Sequence, residues 1–353
     1  MFDVRPYDGT AEELSRFVVG TWRKDYEGKM AFPLWSPEYL QWQLRMGDPA
    51  ARHHQLAAYD GNGKLVGALL GLPSSFRTPA GVLTGHHGSW LSIEPTCRGQ
   101  GMVGAMTKER VNQQRLHGDG LVVGYRFFGS KHSLAERPNP KKPDPMRSFH
   151  AKLGFWARVL DTTRAAAWNV SPFESALTRV GGPFTPHPPA KLAPGVRPIA
   201  VADLPGCVAV LARRAERMPL SVEWTEHDLR HHLLGSPLSQ TFVAETEGQV
   251  RGLVNFHILP FLGRTEEPVG IFDIIATDEL SAGGRAGLVN AALHRMREQG
   301  AILALKLRCG DAPWGTMLRT HFVPRLPDSH LVLQWVDAPQ ALPPGAAMHL
   351  LWR

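Results

Sequence analysis

Cysteine is scarce: Cys97, Cys207 and Cys309 are the only three among 353 residues. They are odd in number and far apart, which argues against a disulfide framework and a CxxC-type metal site and leaves three free thiols. No metal is expected on this reading. No apolar run approaches the roughly 20 residues that a membrane span needs. The amino end, MFDVRPYDGTAEEL, has an early aspartate and no apolar h-region, so a secretory signal is not expected and a cytoplasmic location is. Acidic residues are outnumbered, with 32 Asp and Glu against 39 Lys and Arg, a formal charge of +7. Such an excess suits an anionic partner. The basic residues are scattered, however, and the densest cluster, RPNPKKPDPMR at 137–147, is proline-rich without interleaved aromatics for base stacking. That disfavours nucleic acid and leaves a phosphate-bearing small ligand or an ordinary solvated surface.

With 43% hydrophobic and 20% charged residues, the composition is that of a soluble globular protein. The length exceeds what one core usually holds, so two domains are expected. The boundary falls in GGPFTPHPPAKLAPG at 181–195, whose prolines and glycines cannot sustain helix or ladder hydrogen bonds. The expected division is residues 1–180, a linker at 181–195, and residues 196–353. In the first part FDVRPYD reads as a strand. Thr10 and Glu13 have capping-box spacing ahead of an amphipathic run, and Ser36 with Pro37 opens a second helix. HQLAAYD and KLVGALLGL flank a Gly-Asn-Gly turn as a hairpin, and GHHGSWLSIEP follows as a strand. The second part repeats this order: VRPIAVADLPGCVAVLARRAERM as strand and helix, a hairpin around TEGQ, then GIFDIIATDEL and GGRAGLVNAALHRMREQG. A duplicated α/β unit with an altered second copy is the economical reading.

The stretch PTCRGQGMVGAM at 95–106 lies between a strand ending at Glu94 and a helix beginning near Met102. A glycine-rich turn there leaves unpaired backbone N–H groups converging on one spot, an anion site. Gly99, Gly101 and Gly104 permit close approach of a diphosphate, and Arg98 can add charge-assisted hydrogen bonds. The run matches neither GxxxxGK[ST] nor a GxGxxG with a suitably placed acid.

LSIEPTCRGQGMVGAM resembles the acyl-CoA pyrophosphate loop of the GNAT superfamily of N-acyltransferases, R/Q-x-x-G-x-G/A after a strand of apolar-x-apolar-x-Pro pattern. The register fits at Leu91, Ile93, Pro95, Arg98, Gly99, Gly101 and Gly104, and MRSFHAKLGFW is similar to the superfamily's later F/Y-x-K-x-GF segment. The resemblance implies an α/β (α+β) architecture of tandem GNAT-like domains, each a mixed, mostly antiparallel sheet flanked by helices. It implies acyl-CoA as co-substrate, held by Leu91, Ser92, Ile93, Arg98, Gly99, Gln100, Gly101, Met102, Val103 and Gly104. The implied reaction moves the acyl group from acyl-CoA, or from an acyl carrier protein, to a primary amine of a peptide, a lysine or a small molecule, through a tetrahedral oxyanion. Fixed N–H donors would stabilise that oxyanion, and a base would take the ammonium proton. Candidates for the base are Glu94, His86, His87 and His150, the last where a tyrosine often stands. The plain alternatives are a loop cap for Glu94 and structural roles for the histidines.

GGRAGL at 283–288 loses the arginine register, so a second intact site is not expected there and this half should build the acceptor pocket. LVNFHILPFLG, GIFDIIATD and LRCGDAPWGTMLRTHFVPRLPDSHLVLQWV are loosely similar in order to the second half of N-myristoyltransferases, themselves a tandem GNAT pair. That resemblance implies the carboxylate of Arg353, or Asp273, near the acceptor amine; the alternative for Asp273 is a buried acid paired with a histidine. His257 faces one side of its strand, toward either a pocket or solvent. Trp35, Trp42, Trp90 and Trp314 are candidates for an acyl channel or for ordinary core. A reading from another class also stands: a non-catalytic acyl-CoA-binding regulatory module.

Overall fold

In the computed structural model, which describes residues 2–128 and 144–352, the chain opens with β1 (Asp3–Pro6) and turns into α1 (Ala11–Tyr26). Thr10 caps α1 by accepting the Glu13 N–H at 3.2 Å. The box is not reciprocal, because the Glu13 carboxylate accepts the Tyr7 hydroxyl instead, at 2.9 Å. A short β2 (Phe32–Pro33) leads to α2 (Pro37–Gln43), with Ser36 capping the Tyr39 N–H and Pro37 in the first turn. β3 (Gln55–Tyr59) and β4 (Leu65–Thr78) form the expected hairpin, followed by β5 (Gly81–Ile93), α3 (Met102–His117) and β6 (Leu121–Phe127).

Next come β7 (Arg147–Leu153), β8 (Phe155–Val159), α4 (Thr162–Trp168) and α5 (Pro172–Gly181). Beyond the proline-rich segment lie β9 (Val196–Pro198), α6 (Leu204–Ala215), β10 (Leu220–Glu223) and α7 (Glu226–Leu234). β11 (Ser239–Thr246) and β12 (Gln249–Leu262) meet at a turn in which Glu247 and Gly248 both have positive φ, the geometry that a two-residue hairpin demands. β13 (Glu266–Ala276), α8 (Ala282–Glu298), β14 (Leu303–Leu307), α9 (Trp314–Arg319), β15 (Val323–Pro324), β16 (Ser329–Trp335) and β17 (Met348–His349) complete the described chain.

Two mixed, mostly antiparallel sheets result, flanked by helices as the resemblance implied. The first runs β1-β3-β4-β5-β6-β16-β7, with β10 and β17 attached beyond β4; the second runs β15-β8-β14-β13-β12-β11-β9, with β2 against β12. Sheet membership does not follow chain order. β8 precedes the proline-rich segment yet pairs with β14, while β16 from near the end of the chain inserts between β6 and β7. The largest apolar cluster draws on both sheets, including Phe76, Trp90 and Val123 from one and Leu259, Ile271 and Leu305 from the other, with Leu14 of α1 packed among them. A buried polar group links the two sheets: Lys306 Nζ, on β14, lies 2.7 Å from Asp311 Oδ2, and His349 Nδ1, on β17, is 3.0 Å from the same oxygen.

Candidate functional site

The geometry turns on where β5 and β6 stop pairing. Their parallel register covers only Gly85–Gly88 against Leu121–Gly124. Glycine is required at the tightest point, where a Cβ on Gly85 would lie 1.9 Å from the Leu121 carbonyl oxygen. Past Gly88 and Gly124 the strands part. β6 stays with β16 through Phe127, and β5 stays with β4 across a bulge in which Trp90 and Leu91 have no partner residue on β4. Trp90 adopts φ 52° there, a left-handed conformation that a bulky residue takes only when its surroundings impose it. Both edges of this fork therefore present main chain that the ladders do not consume.

One end of β5 leads into the glycine-rich turn. A short 3-10 turn, Pro95–Cys97, is followed by Gly99 and Gly101 with φ of 75° and 79°, open to L-residues only at a strain cost. Gly101 is the N-cap of α3, and no side chain among the described residues caps that helix. Its first N–H groups thus face outward with the positive end of the helix dipole behind them. Arg98 is directed elsewhere: its guanidinium meets the Asp25 carboxylate, with Nη1 2.7 Å from Oδ1, and also donates to the Ile93 carbonyl.

The fork opens into a cavity of about 700 Å³. Gly88 to Leu91 form one wall and Gly124 to Phe128 another, while Val103, Thr107 and Arg110 of α3 supply a third. The opposite side comes from the second sheet and its surroundings, with Phe261, Leu303, Leu305 and Trp352. Trp22, Trp35 and Trp90 form a series of edge-on contacts along it, with centroids 4.8 Å and 6.2 Å apart. The wall is mostly apolar, with a few polar groups placed in it, the usual make-up of a ligand pocket. One is Trp90 Nε1, a buried donor without a partner among the described residues. Another is Arg110, whose Nη2 donates to Gln334 Oε1 at 2.7 Å while its Nε has no partner among the described residues. Burial, with the nearby Arg147 charge adding to it, pushes the Arg110 guanidinium down to about 10.

Among the sequence candidates, Trp35, Trp90, Leu91 and Val103 line this cavity. Ser92 accepts a hydrogen bond from Trp22 Nε1 at 3.2 Å, close behind it. Ile93 and Met102 are buried in a small apolar cluster with Met106 beneath the sheet, and the Gln100 amide donates to the Thr96 carbonyl. Glu94 pairs with Lys24 at 2.8 Å. His150 sits on β7, where burial lowers its imidazole below the ordinary value, and its Nε2 has no partner among the described residues. Asp273 lies in the core, 3.1 Å from His257 Nδ1 and 3.3 Å from His232 Nε2. None of Glu94, His150 and Asp273 is part of the cavity wall, and Arg353 lies outside the described residues. His86 and His87 are buried, with His87 held between Ser74 and the Leu351 N–H. Trp42 faces a second cavity of about 320 Å³, while Trp314 is 55% exposed and meets Trp156 edge-on.

The sequence reading missed Arg110, Gln334, Tyr125, Phe261 and Trp352. Arg110 alone left a signal, since Met102, Met106 and Arg110 at i, i+4 and i+8 put an arginine on the sheet-facing side of a helix.

No protein-family model matches the chain. Glycylpeptide N-tetradecanoyltransferase of Eremothecium gossypii is 22% identical over 236 residues, 64% of this chain and 47% of that protein. The enzyme of the same name from Candida albicans is 22% identical over 262 residues, 71% of this chain and 54% of that one. This chain thus spans about half the length of the curated relatives it matches. Among solved structures, Saccharomyces cerevisiae N-myristoyltransferase with bound myristoyl-CoA superposes with a TM-score of 0.73 at 14% identity, covering 94% of this chain and 82% of that one. A GCN5-related N-acetyltransferase from Anabaena variabilis gives 0.56 at 10% identity, covering 96% and 73%. The fold is therefore that of a tandem GNAT-like protein, similar to N-myristoyltransferase across both sheets.

Proposed function

We propose that this protein is an N-acyltransferase that moves an apolar acyl chain from acyl-CoA to a primary amine, with the amino group of a peptide as acceptor. The observation that carries the reading is the fork between β5 and β6. It opens from Gly88 and Gly124 into an aromatic cavity and lies beside the uncapped start of α3. On this reading the donor's diphosphate rests on the α3 N–H groups and the Gly99–Gly101 turn. The pantetheine arm enters between the strands, and the acyl chain takes the wall of Trp35, Trp90, Phe261 and Leu305. The relatives support the donor and acceptor classes through their names, a tetradecanoyl donor and a glycylpeptide acceptor.

The chemistry then follows from what the chain places at the fork. The amine nitrogen attacks the thioester carbon, a C–N bond forms, and negative charge gathers on the carbonyl oxygen. Main-chain N–H groups at the Trp90–Leu91 bulge are the donors we assign to that oxyanion, worth a few kcal/mol each in a water-poor site. The C–S bond breaks, and the departing thiolate takes up the second proton lost by the amine nitrogen, through cavity water, and leaves as the thiol. Glu94, His150 and Asp273 stand outside the cavity wall, so we route the ammonium proton through cavity water rather than to one of them directly.

The test is thiol release from acetyl-, octanoyl-, myristoyl- and palmitoyl-CoA, with and without a pool of peptides bearing free amino termini, followed by intact-mass analysis of the peptides. Amine-dependent release with a preference for long chains is expected. Tight acyl-CoA binding without release would replace the enzyme with the regulatory acyl-CoA-binding module, and absence of binding would overturn both.

A further inference from the structure

Away from the fork, His53 and His54 of the 3-10 turn before β3 crowd together with His86 of β5, His117 at the end of α3 and Asp119 of the loop after it. His53 Nε2 is 3.0 Å from Asp119 Oδ2, and His54 Nδ1 is 3.4 Å from the same oxygen. The three donor atoms all lie within 4.8 Å of one another, and all three residues are buried. His86 Nδ1 stands 3.1 Å from His54 Nδ1, and the His117 ring stacks on His53 at 3.9 Å. Among the described residues no lysine or arginine forms an ion pair with Asp119; its ion-pair neighbours are the two imidazoles. A buried carboxylate facing only histidines must draw a positive charge from somewhere, either a proton on a ring or a cation.

We propose that His53 Nε2, His54 Nδ1 and Asp119 Oδ2 bind one divalent transition-metal ion of the zinc class. The donor set is right for it: two imidazole nitrogens and one carboxylate oxygen. The spacing is right as well. Tetrahedral bonds of about 2.0–2.1 Å place neighbouring donor atoms roughly 3.3 Å apart, and the two contacts to Asp119 are 3.0 Å and 3.4 Å. His53, His54, His117 and Asp119 also line the 320 Å³ cavity, which gives an ion a way in. The metal would tie the turn ahead of β3 to the loop that leads from α3 into β6.

This inference does not depend on the acyltransferase reading, and its readout is metal content. The full chain would be stripped with a chelator, reloaded with Zn²⁺ or Co²⁺, desalted and assayed for bound metal and for the visible absorption of tetrahedral Co²⁺. One equivalent is expected. Asp119→Asn and His53→Gln should weaken it by more than the roughly 100-fold that loss of an outer partner alone can reach, while His231→Gln, in the same cavity but outside the trio, should keep the full equivalent. If either ligand variant fails to fold, ring-nitrogen NMR of the unaltered chain serves instead, with metal-induced shifts expected at His53 Nε2 and His54 Nδ1. No stoichiometric metal in the reloaded chain would overturn the proposal in favour of a purely hydrogen-bonded cluster, as would equal affinity in the Asp119→Asn and His53→Gln variants or shifts at other nitrogens.

Discussion

Arg98 and Asp25 face each other as a forked pair, guanidinium to carboxylate, joining the glycine-rich turn to the last turns of α1. The arginine of the loop motif therefore acts first as a strut. Both side chains are mostly shielded, at 27% and 19% exposure, so their coupling should exceed the few tenths of a kcal/mol typical of open surface pairs. A double-mutant cycle with Arg98→Ala and Asp25→Ala should give a coupling of about 1–2 kcal/mol in urea unfolding. Additive effects would show that the strut contributes nothing.

Gly101→Ala separates the turn's backbone role from its ligand role. The new Cβ meets no heavy atom within 4 Å, so the cost to the free protein is the left-handed backbone alone, about 1–2 kcal/mol. Acyl-CoA affinity should fall by at least tenfold on top of that, because the methyl group intrudes on the diphosphate. An unchanged dissociation constant for CoA would place the phosphates elsewhere.

Leu305 lies on β14 and lines the cavity from the second sheet. Leu305→Phe should shorten the acyl chain that fits, leaving octanoyl transfer near its original rate and lowering palmitoyl transfer several-fold, at an overpacking cost of about 1–3 kcal/mol. Rates for a chain-length series read this directly, and a uniform loss across the series would put the acyl chain in a different space.

Lys306, Asp311 and His349 form a buried charged group that joins β14 to β17. Asp311→Asn strands the ammonium and should cost about 3–5 kcal/mol in chemical denaturation. The same group predicts the pH dependence. Burial, only partly offset by Asp311, holds the His349 imidazole below its ordinary 6.5, so the unfolded chain takes the proton first. Stability tied to it is complete above 6.5 and is lost as pH falls toward the folded value, by at most about 1.4 kcal/mol per pH unit. For Asp311 burial works the other way, but Lys306 and His349 outweigh it and hold the carboxyl well below its ordinary 3.8. Its share is therefore complete above 3.8 and is lost only in stronger acid. Unfolding free energies that stay level from pH 8 down to pH 5 would contradict this account.

Glu94→Gln should leave thiol release within about threefold, since the carboxylate is engaged with Lys24 and stands off the cavity wall. A loss of a hundredfold or more would return Glu94 to the role of base.

What the sequence disclosed was local. Thr10, Ser36, the Gly-Asn-Gly turn and the Gly99–Gly101 run each fix the backbone within a few residues of themselves, and the structure has those elements where the residues put them. What it hid depends on residues distant along the chain. That β16 would insert between β6 and β7 follows from which edges lie exposed after collapse, and no period or spacing encodes it. The Arg98–Asp25 strut spans 73 positions, so the motif offered the arginine to a phosphate with no hint of the competing carboxylate. His53, His54, His86 and Asp119 come from three separated stretches, and only packing brings them together. The cavity wall is assembled in the same way, with Phe261 and Trp352 arriving from the far half.

The exchange of β8 and β16 between the sheets has a consequence for how the molecule can be taken apart. A protease that cuts in the proline-rich segment at 181–195 breaks the covalent chain but leaves each sheet stitched by strands from the other fragment, β10, β16 and β17 in the first and β2 and β8 in the second. The nicked protein should elute intact and separate only when denatured. Neither fragment made alone can complete its own sheet, so this barter of strands makes a molecule that must come together and come undone as one.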